Sequence, residues 1–403
     1  MKTITGGVTA ATGFEAAGIE AGVKYQNRKD LALVYSETPC VSAGVFTSNV
    51  VKAAPVTWDR ELVRGGSKPI HAVVINTGIA NACTGREGYE ICRQTADKTA
   101  EVLGIEADSV LVASTGVIGM QIPLDKIVNN LDKLAAAKSH SKEAGTNAAK
   151  AIMTTDTVQK ETAVTFSIKG KTVTLGGMAK GSGMIHPNMC TMLCFLTTDV
   201  VIEKTMLQKA LSEVVVDTFN MISVDGDTST NDSLIVLANG LAENPVIDSE
   251  GEDYEIFKEA LMTVCTTLAR KMAGDGEGAT ALFETQVIHA DTKENARTLA
   301  KSVICSSLTK AMIYGHDANV GRIMCALGYS GVSFDPEQVE LFCSDGEKEI
   351  CILTDYDEEE ATRILSAPEV KVTVDMKMGE EEATAWGCDL TYEYVKINAD
   401  YRS

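Results

Sequence analysis

Residues 180–199 read KGSGMIHPNMCTMLCFLTTD. Gly181, Ser182, Gly183 and Pro187 are small or helix-breaking, and Cys190-Thr191-Met192-Leu193 then opens an apolar run toward Thr197 and Thr198. That order does not suit a helix; it reads as a Gly-rich loop feeding a buried strand. From the residues alone two readings stay open. Thr191 is an ordinary β-former after a tight turn, or the backbone is bent so that its hydroxyl attacks the peptide bond before it.

The flanking sequence alternates strand and helix patterns without a long linker or an obvious repeat. HAVVIN (71–76) and SVLVAST (109–115) are β-branched runs that end in Gly-containing loops. Between them EICRQTADKTAEVLG (90–104) has helical spacing and a glycine stop. Residues 252–279 place Ile256, Phe257, Ala260, Leu261, Val264, Leu268 and Met272 on one face, which predicts an amphipathic helix ended by Gly274. Near the C-terminus EVKVTVDMKMG (369–379) and DLTYEYVKI (389–397) alternate in period two around EEEATAWGC (380–388), which predicts a hairpin or two edge strands. The expected class is α+β, with layered sheets flanked by helices rather than a regular parallel βαβ series.

At 403 residues and 45% hydrophobic, the chain is large enough for two domains or two large layers. The start, MKTITGGVTAATGF, lacks the apolar core of a secretory signal, and no run approaches a membrane span, so a cytoplasmic location is expected. A formal charge of −20 argues against nucleic acid, whose phosphates it would repel. The acidic runs DYDEEEATR (355–363) and GEEEAT (379–384) read as solvated faces. Eleven cysteines without a C-x-x-C pair point to reduced thiols rather than a disulfide frame or a zinc site.

Several familiar chemistries fail on their spacing. GKT at 170–172 lacks the first glycine of a phosphate loop, because Thr165 stands there. GDGEGA at 274–279 follows a helix and precedes an apolar strand, the reverse of a dinucleotide site. DGDTSTND at 225–232 resembles a calcium loop until Thr230 appears at the turn position and Val236 at that of the bidentate glutamate, so no metal is expected. The five histidines have no G-x-S-x-G or H-E-x-x-H context, and His186 reads as a residue that caps the loop or faces solvent. A threonine nucleophile needs no histidine if the chain is cut before it. The new α-amino group, with a reference pKa of about 7.7 to 8.0, can accept the hydroxyl proton.

The wider motif MAKGSGMIHPNMCTML (178–193) resembles the self-cleaving region of the glutamate N-acetyltransferase, or ornithine acetyltransferase, family. Further stretches match that family in order: ITGGVTAATGFEAAGIEAGVK (4–24), VASTGVIGMQIP (112–123), AIMTTDT (151–157), SVDGDTSTND (223–232), DGEGAT (275–280) and AWGCDLTYEYVKINADYRS (385–403). The resemblance covers nearly the whole chain. It implies an amino-terminal-nucleophile-like, DmpA/ornithine acetyltransferase-type fold. It also implies a precursor cut between Cys190 and Thr191 into an α chain (1–190) and a β chain (191–403), assembled as two α and two β.

The implied reaction moves acetyl from N2-acetylornithine to glutamate in arginine biosynthesis by a ping-pong, acetyl-threonine route. No cofactor is implied, although some members of the family also take acetyl from acetyl-CoA. By resemblance Thr191 is the nucleophile, and Thr115 with Gly116 supplies the oxyanion donors. Glu277 holds an amine or relays a proton, while Thr154, Lys180, Asn398 and Ser403 complete the substrate site. Cys190 departs from the alanine more usual before the cut. Two rival readings stand beside this one: an amino-terminal-nucleophile amidohydrolase or aminopeptidase, and a non-enzymatic amino-acid-binding protein that never matures.

Overall fold

The apolar runs of the first half of the chain bury both faces of a sheet. In the strand over Ile70–Ile79, Val73 and Ile75 enter one apolar core while Ala72 and Val74 enter another. Leu111 and Ala113 are likewise separated from Val110 and Val112 in the next strand. Such strands read as unbroken apolar segments because neither face meets water. The computed structural model describes residues 1–65, 68–186, 192–354 and 356–400. Pro187, Cys190, Thr191 and Ser403 lie outside the described residues.

The chain forms two units. The first takes Met1–Gly181, Asn188–Val215 and Thr228–Leu268, and the second takes Ser182–Pro187, Val216–Asp227 and Ala269–Ser403. Each therefore draws on both sides of residue 190.

Among the described residues the first unit holds a nine-stranded sheet. Its strands are β1 (Lys2–Ile4), β2 (Phe14–Ile19), β3 (Leu31–Phe46), β4 (Ile70–Ile79), β5 (Val110–Val117), β6 (Lys160–Ile168), β7 (Lys171–Lys180), β8 (Leu193–Thr198) and β10 (Ser233–Ala238). The order is β1-β6-β7-β8-β10-β3-β4-β5, with β2 on β3. Strands β8 and β10 run parallel, as do β4 and β5. The long β3 joins the two halves of the sheet: Leu31 to Tyr35 pair with β2 and β4, and Val41 to Phe46 pair with β10. One core sets Ile91, Cys92, Ala96 and Ala100 of the helix Gly85–Leu103 against the sheet, and Gly104 ends that helix at φ +69°. The other sets Ala148, Ala149 and Ala151 of the helix Lys142–Ala151 against the opposite face.

The second unit holds a six-stranded sheet among the described residues, ordered β13-β12-β14-β11-β15-β9. Its strands are β9 (Ile222–Ser223), β11 (Leu282–Ala290), β12 (Glu340–Ser344), β13 (Glu349–Cys351), β14 (Glu369–Asp375) and β15 (Glu381–Cys388). The helix Lys293–Cys305 packs on β11 and β15 through Ala296, Leu299, Ala300, Val303 and Ile304. The fold is α+β, with mixed sheets and helices, as the sequence predicts. The helix at Glu252–Gly274 also forms, with Phe257, Ala260, Leu261, Val264, Leu268 and Met272 fully buried.

The C-terminal expectation is corrected. The stretch read as a turn, 381–388, is itself strand β15, and β14 does not pair with it, because β11 lies between them, parallel to β14 and antiparallel to β15. Tyr392–Ala399 is a helix, not a strand. Thr391 accepts the Tyr394 N–H as its N-cap, and this local satisfaction of a backbone donor outweighs the period-two pattern. Among the described residues no helix is long and apolar enough to cross a membrane, and every described cysteine is a free thiol.

Strand β2 passes so close to the helix Lys142–Ala151 that a methyl group on Gly18 would stand 2.1 Å from the Asn147 carbonyl oxygen. Gly18→Ala should therefore lower stability by roughly 1–3 kcal/mol through overpacking, read as a lower thermal midpoint.

Candidate active site

In the first unit the site residues gather at the ends of β5 and β7. The β4–β5 ladder slips in register around Gly78 and Ile79, where Gly78 faces Gly116. Gly116 has φ +130°, and a side chain there would meet the Gly78 carbonyl at 2.2–2.4 Å, so only glycine lets the two backbones approach. Side chains hold this irregular end. Ser114 donates to Asn76 Oδ1 at 2.6 Å, and Asn231 donates to the carbonyls of Ala80 and Ser114 at 2.5 and 2.8 Å. Thr115 is buried, and its Oγ1 accepts from Lys180 Nζ at 3.3 Å.

Lys180 lies among carboxyl groups. Asp156 and Lys160 form a fully buried pair at 2.6 Å. The same Asp156 accepts the Gly181 N–H at 2.7 Å and the Thr154 N–H at 3.0 Å. Burial alone would raise the Asp156 carboxyl, but the charges of Lys180 and Lys160 and its hydrogen bonds prevail and bring it down to about 2. Asp232 behaves oppositely. Complete burial holds it well above the carboxylate range against hydrogen bonds from Ser229, Met192 and Thr47 and the charge of Lys180, and among the described residues its Oδ2 has no hydrogen-bond partner. The charge of one lysine thus acts on a carboxyl that its surroundings hold low and on another that burial holds high. Thr154 is anchored to this cluster through its backbone alone, and its carbonyl also accepts from Arg28 at 2.8 Å.

In the second unit Glu277 is buried, its N–H donates to the Ser182 carbonyl at 3.0 Å, and its Oε2 accepts from Asn398 at 2.8 Å. The helix Tyr392–Ala399 supplies Asn398. Thr391 Oγ1 ties that helix to the Gly278 carbonyl at 2.8 Å. Asp225 accepts from the N–H groups of Met184 at 2.6 Å and Ile185 at 2.9 Å. His186 Nδ1 lies 3.1 Å from Ser223 Oγ and 3.6 Å from Cys305 Sγ, so it packs rather than facing solvent. Burial, helped by the charge of Lys301, lowers its pKa to about 4, which leaves a neutral imidazole.

Two groups of expected site residues are brought together, one in each unit: Thr115, Gly116, Lys180 and the Thr154 turn, and Glu277 with Asn398. Cys190, Thr191 and Ser403 lie outside the described residues. Sequence reasoning missed Asp156, Asp225, Asn231 and Asp232. The signal was present in AIMTTDT and SVDGDTSTND, where polar residues outnumber what a turn needs. The second stretch, which first suggests a calcium loop, spends its acids on backbone N–H groups and on the neighbourhood of Lys180.

The chain matches the ArgJ family over residues 15–403. It is 49% identical over 408 aligned positions to the arginine biosynthesis bifunctional protein ArgJ of Caldanaerobacter subterraneus subsp. tengcongensis, covering 100% of each chain. It is 44% identical to the ArgJ of Bacillus subtilis over 99% of this chain and 97% of that one. The crystal structure of the Bacillus halodurans ArgJ is 46% identical and superposes with a TM-score of 0.49 over 51% of this chain and 97% of that chain.

The buried carboxylate makes a pH prediction. Asp156 titrates at about 2 rather than at 3.8, so its ionised form favours the folded state by roughly 2 kcal/mol. That contribution is complete above about pH 4 and is lost as pH falls through 2. Asp156→Asn should weaken the fold at pH 7 by roughly 3–5 kcal/mol, because two buried ammonium groups lose their counter-charge. Urea midpoints between pH 2 and pH 7 should then vary less for the variant than for the wild type.

Proposed function

The chain belongs to the ArgJ family, and on that premise we propose that it transfers acetyl through an acetyl-threonine on Thr191, a nucleophile it frees by cutting its own chain. It is an enzyme of arginine biosynthesis, a glutamate N-acetyltransferase of the ornithine acetyltransferase type. Use of acetyl-CoA as a second donor, an assembly of two α and two β chains, and residence in the cytoplasm belong to the same proposal.

The observation that carries the reading is the Lys180 ammonium donating to the Thr115 hydroxyl beside the glycine-only backbone of Gly116. A hydroxyl that accepts from a buried cation is polarised and becomes a stronger donor in its turn. Thr115 O–H and Gly116 N–H then suit a developing oxyanion, and neither requires a charge to move when the oxyanion forms.

In maturation the Thr191 hydroxyl adds to the Cys190 carbonyl carbon, the C–N bond breaks, and the hydroxyl proton passes to the departing nitrogen, which becomes the new α-amine. Water then hydrolyses the ester, leaving a carboxylate on Cys190 and a free hydroxyl on Thr191. In turnover the α-amine takes the hydroxyl proton, and the oxygen attacks the acetyl carbonyl of N2-acetylornithine. The tetrahedral oxyanion rests on Thr115 and Gly116 until ornithine leaves with a proton. Glutamate's amine attacks the acetyl ester, and the reverse proton path restores Thr191. Lys180 pairs with a substrate carboxylate and Glu277 holds or protonates an amine, with Thr154, Asn398 and Ser403 as further contacts.

Denaturing intact-mass measurement should give fragments 1–190 and 191–403 for the wild type and one chain for Thr191→Ala. An intact wild type that is active would remove the self-cleavage step. Incubation with N2-acetylornithine alone should leave acetyl on Thr191, glutamate should discharge it, and initial rates should give parallel double-reciprocal lines. Intersecting lines without an adduct would replace the acetyl-threonine with direct transfer. Thr115→Ala should lower kcat about 100-fold with little change in KM, as loss of an oxyanion donor does.

A further inference from the structure

The loop between Lys180 and the proposed scissile bond contains a strained residue. Met184 has φ +55°, a left-handed backbone that a residue with a side chain adopts only when its surroundings impose it. The residue is 41% exposed, so close packing does not impose it. Asp225 is the group that does. Its Oδ2 accepts the Met184 N–H at 2.6 Å, and its Oδ1 accepts the N–H groups of Ile185 at 2.9 Å and Asp227 at 3.2 Å. The Ile185 carbonyl in turn accepts from the Val224 N–H at 2.7 Å, so both sides of the strained residue are fixed to the segment that carries Asp225.

The C-terminal helix adds a second hold on the same loop: Asn398 donates to Glu277 Oε2, and the Glu277 N–H binds the Ser182 carbonyl.

We propose that Asp225 is a positioning residue for self-cleavage: by holding Met184 in its left-handed conformation it sets the direction in which the loop delivers the peptide bond to be cut. The inference rests on the self-cleavage reading above and makes or breaks no bond of its own. It requires that the need for Asp225 disappear when residue 184 no longer resists φ +55°. Glycine meets that condition, because it populates positive φ as readily as negative.

The test follows freshly translated chains by denaturing intact mass over time. Asp225→Asn presents an amide donor to one of the two N–H groups and should cleave about tenfold more slowly. Met184→Gly should cleave at the wild-type rate, and the Asp225→Asn/Met184→Gly double variant should return to within about twofold of it. Met184→Val, an exposed change that leaves Asp225 in place, should be slow by about tenfold, since a β-branched residue resists the left-handed region most. Should Asp225→Asn fail to fold, the Gly and Val variants at position 184 decide alone. Equal rates for wild type and Asp225→Asn, equal rates for Gly and Val at 184, or a double variant as slow as Asp225→Asn would each overturn the proposal while leaving self-cleavage intact. A wild-type chain that never divides would overturn both.

Discussion

Asp156 and Lys160 meet at 2.6 Å with neither side chain exposed. An ion pair so placed gives little net stability, since both charges lose their water, but removing either partner strands the other. Its structural value lies in what the one carboxylate gathers. It accepts from Lys160 at the start of β6, from Gly181 just past the end of β7 and from Thr154 in the turn before both. β6 and β7 are paired antiparallel along their length. Two points of backbone and one lysine side chain, and with them the base of Lys180, are therefore fixed by a single buried charge.

Lys180 shows why that matters for chemistry. Desolvation penalises every charge in its neighbourhood, so the number of ionised carboxyls that can be kept there is limited. Asp156, with two lysines and two backbone donors, stays ionised, while Asp232, with weaker compensation, is pushed toward its neutral form. The result is a lysine that, set among these acids, donates to the Thr115 hydroxyl. Environments that drive paired acids apart in pKa recur where proton and oxyanion chemistry is done.

Glycine does a second kind of work beside it. The close passage of Gly78 and Gly116 interrupts the β4–β5 ladder at the point where Thr115 emerges, and Asn76, Ser114 and Asn231 satisfy polar groups that the ladder gives up. A bulge that re-aims a side chain at a strand end is stable only with such compensation. In the second unit Asp225 plays the corresponding part for the loop over residues 182–185, with a strained non-glycine residue at Met184 in place of a glycine pair.

The sequence by itself determined the parts whose pattern is local. Apolar runs gave β4 and β5, helical spacing gave Glu252–Gly274, and the α+β class followed from their alternation. The motifs around Thr115, Lys180, Glu277 and Asn398 identified the family. Sequence did not reveal that 381–388 is a strand and 392–399 a helix, because period-two alternation does not say whether a partner edge exists or whether β11 takes the place between β14 and β15. Nor could it assign the acids. Asp156, Asp225 and Asp232 are alike as letters, and a carboxyl's charge is set by how many donors and cations surround it once water has been excluded, a quantity that exists only after strands distant in sequence have been brought together.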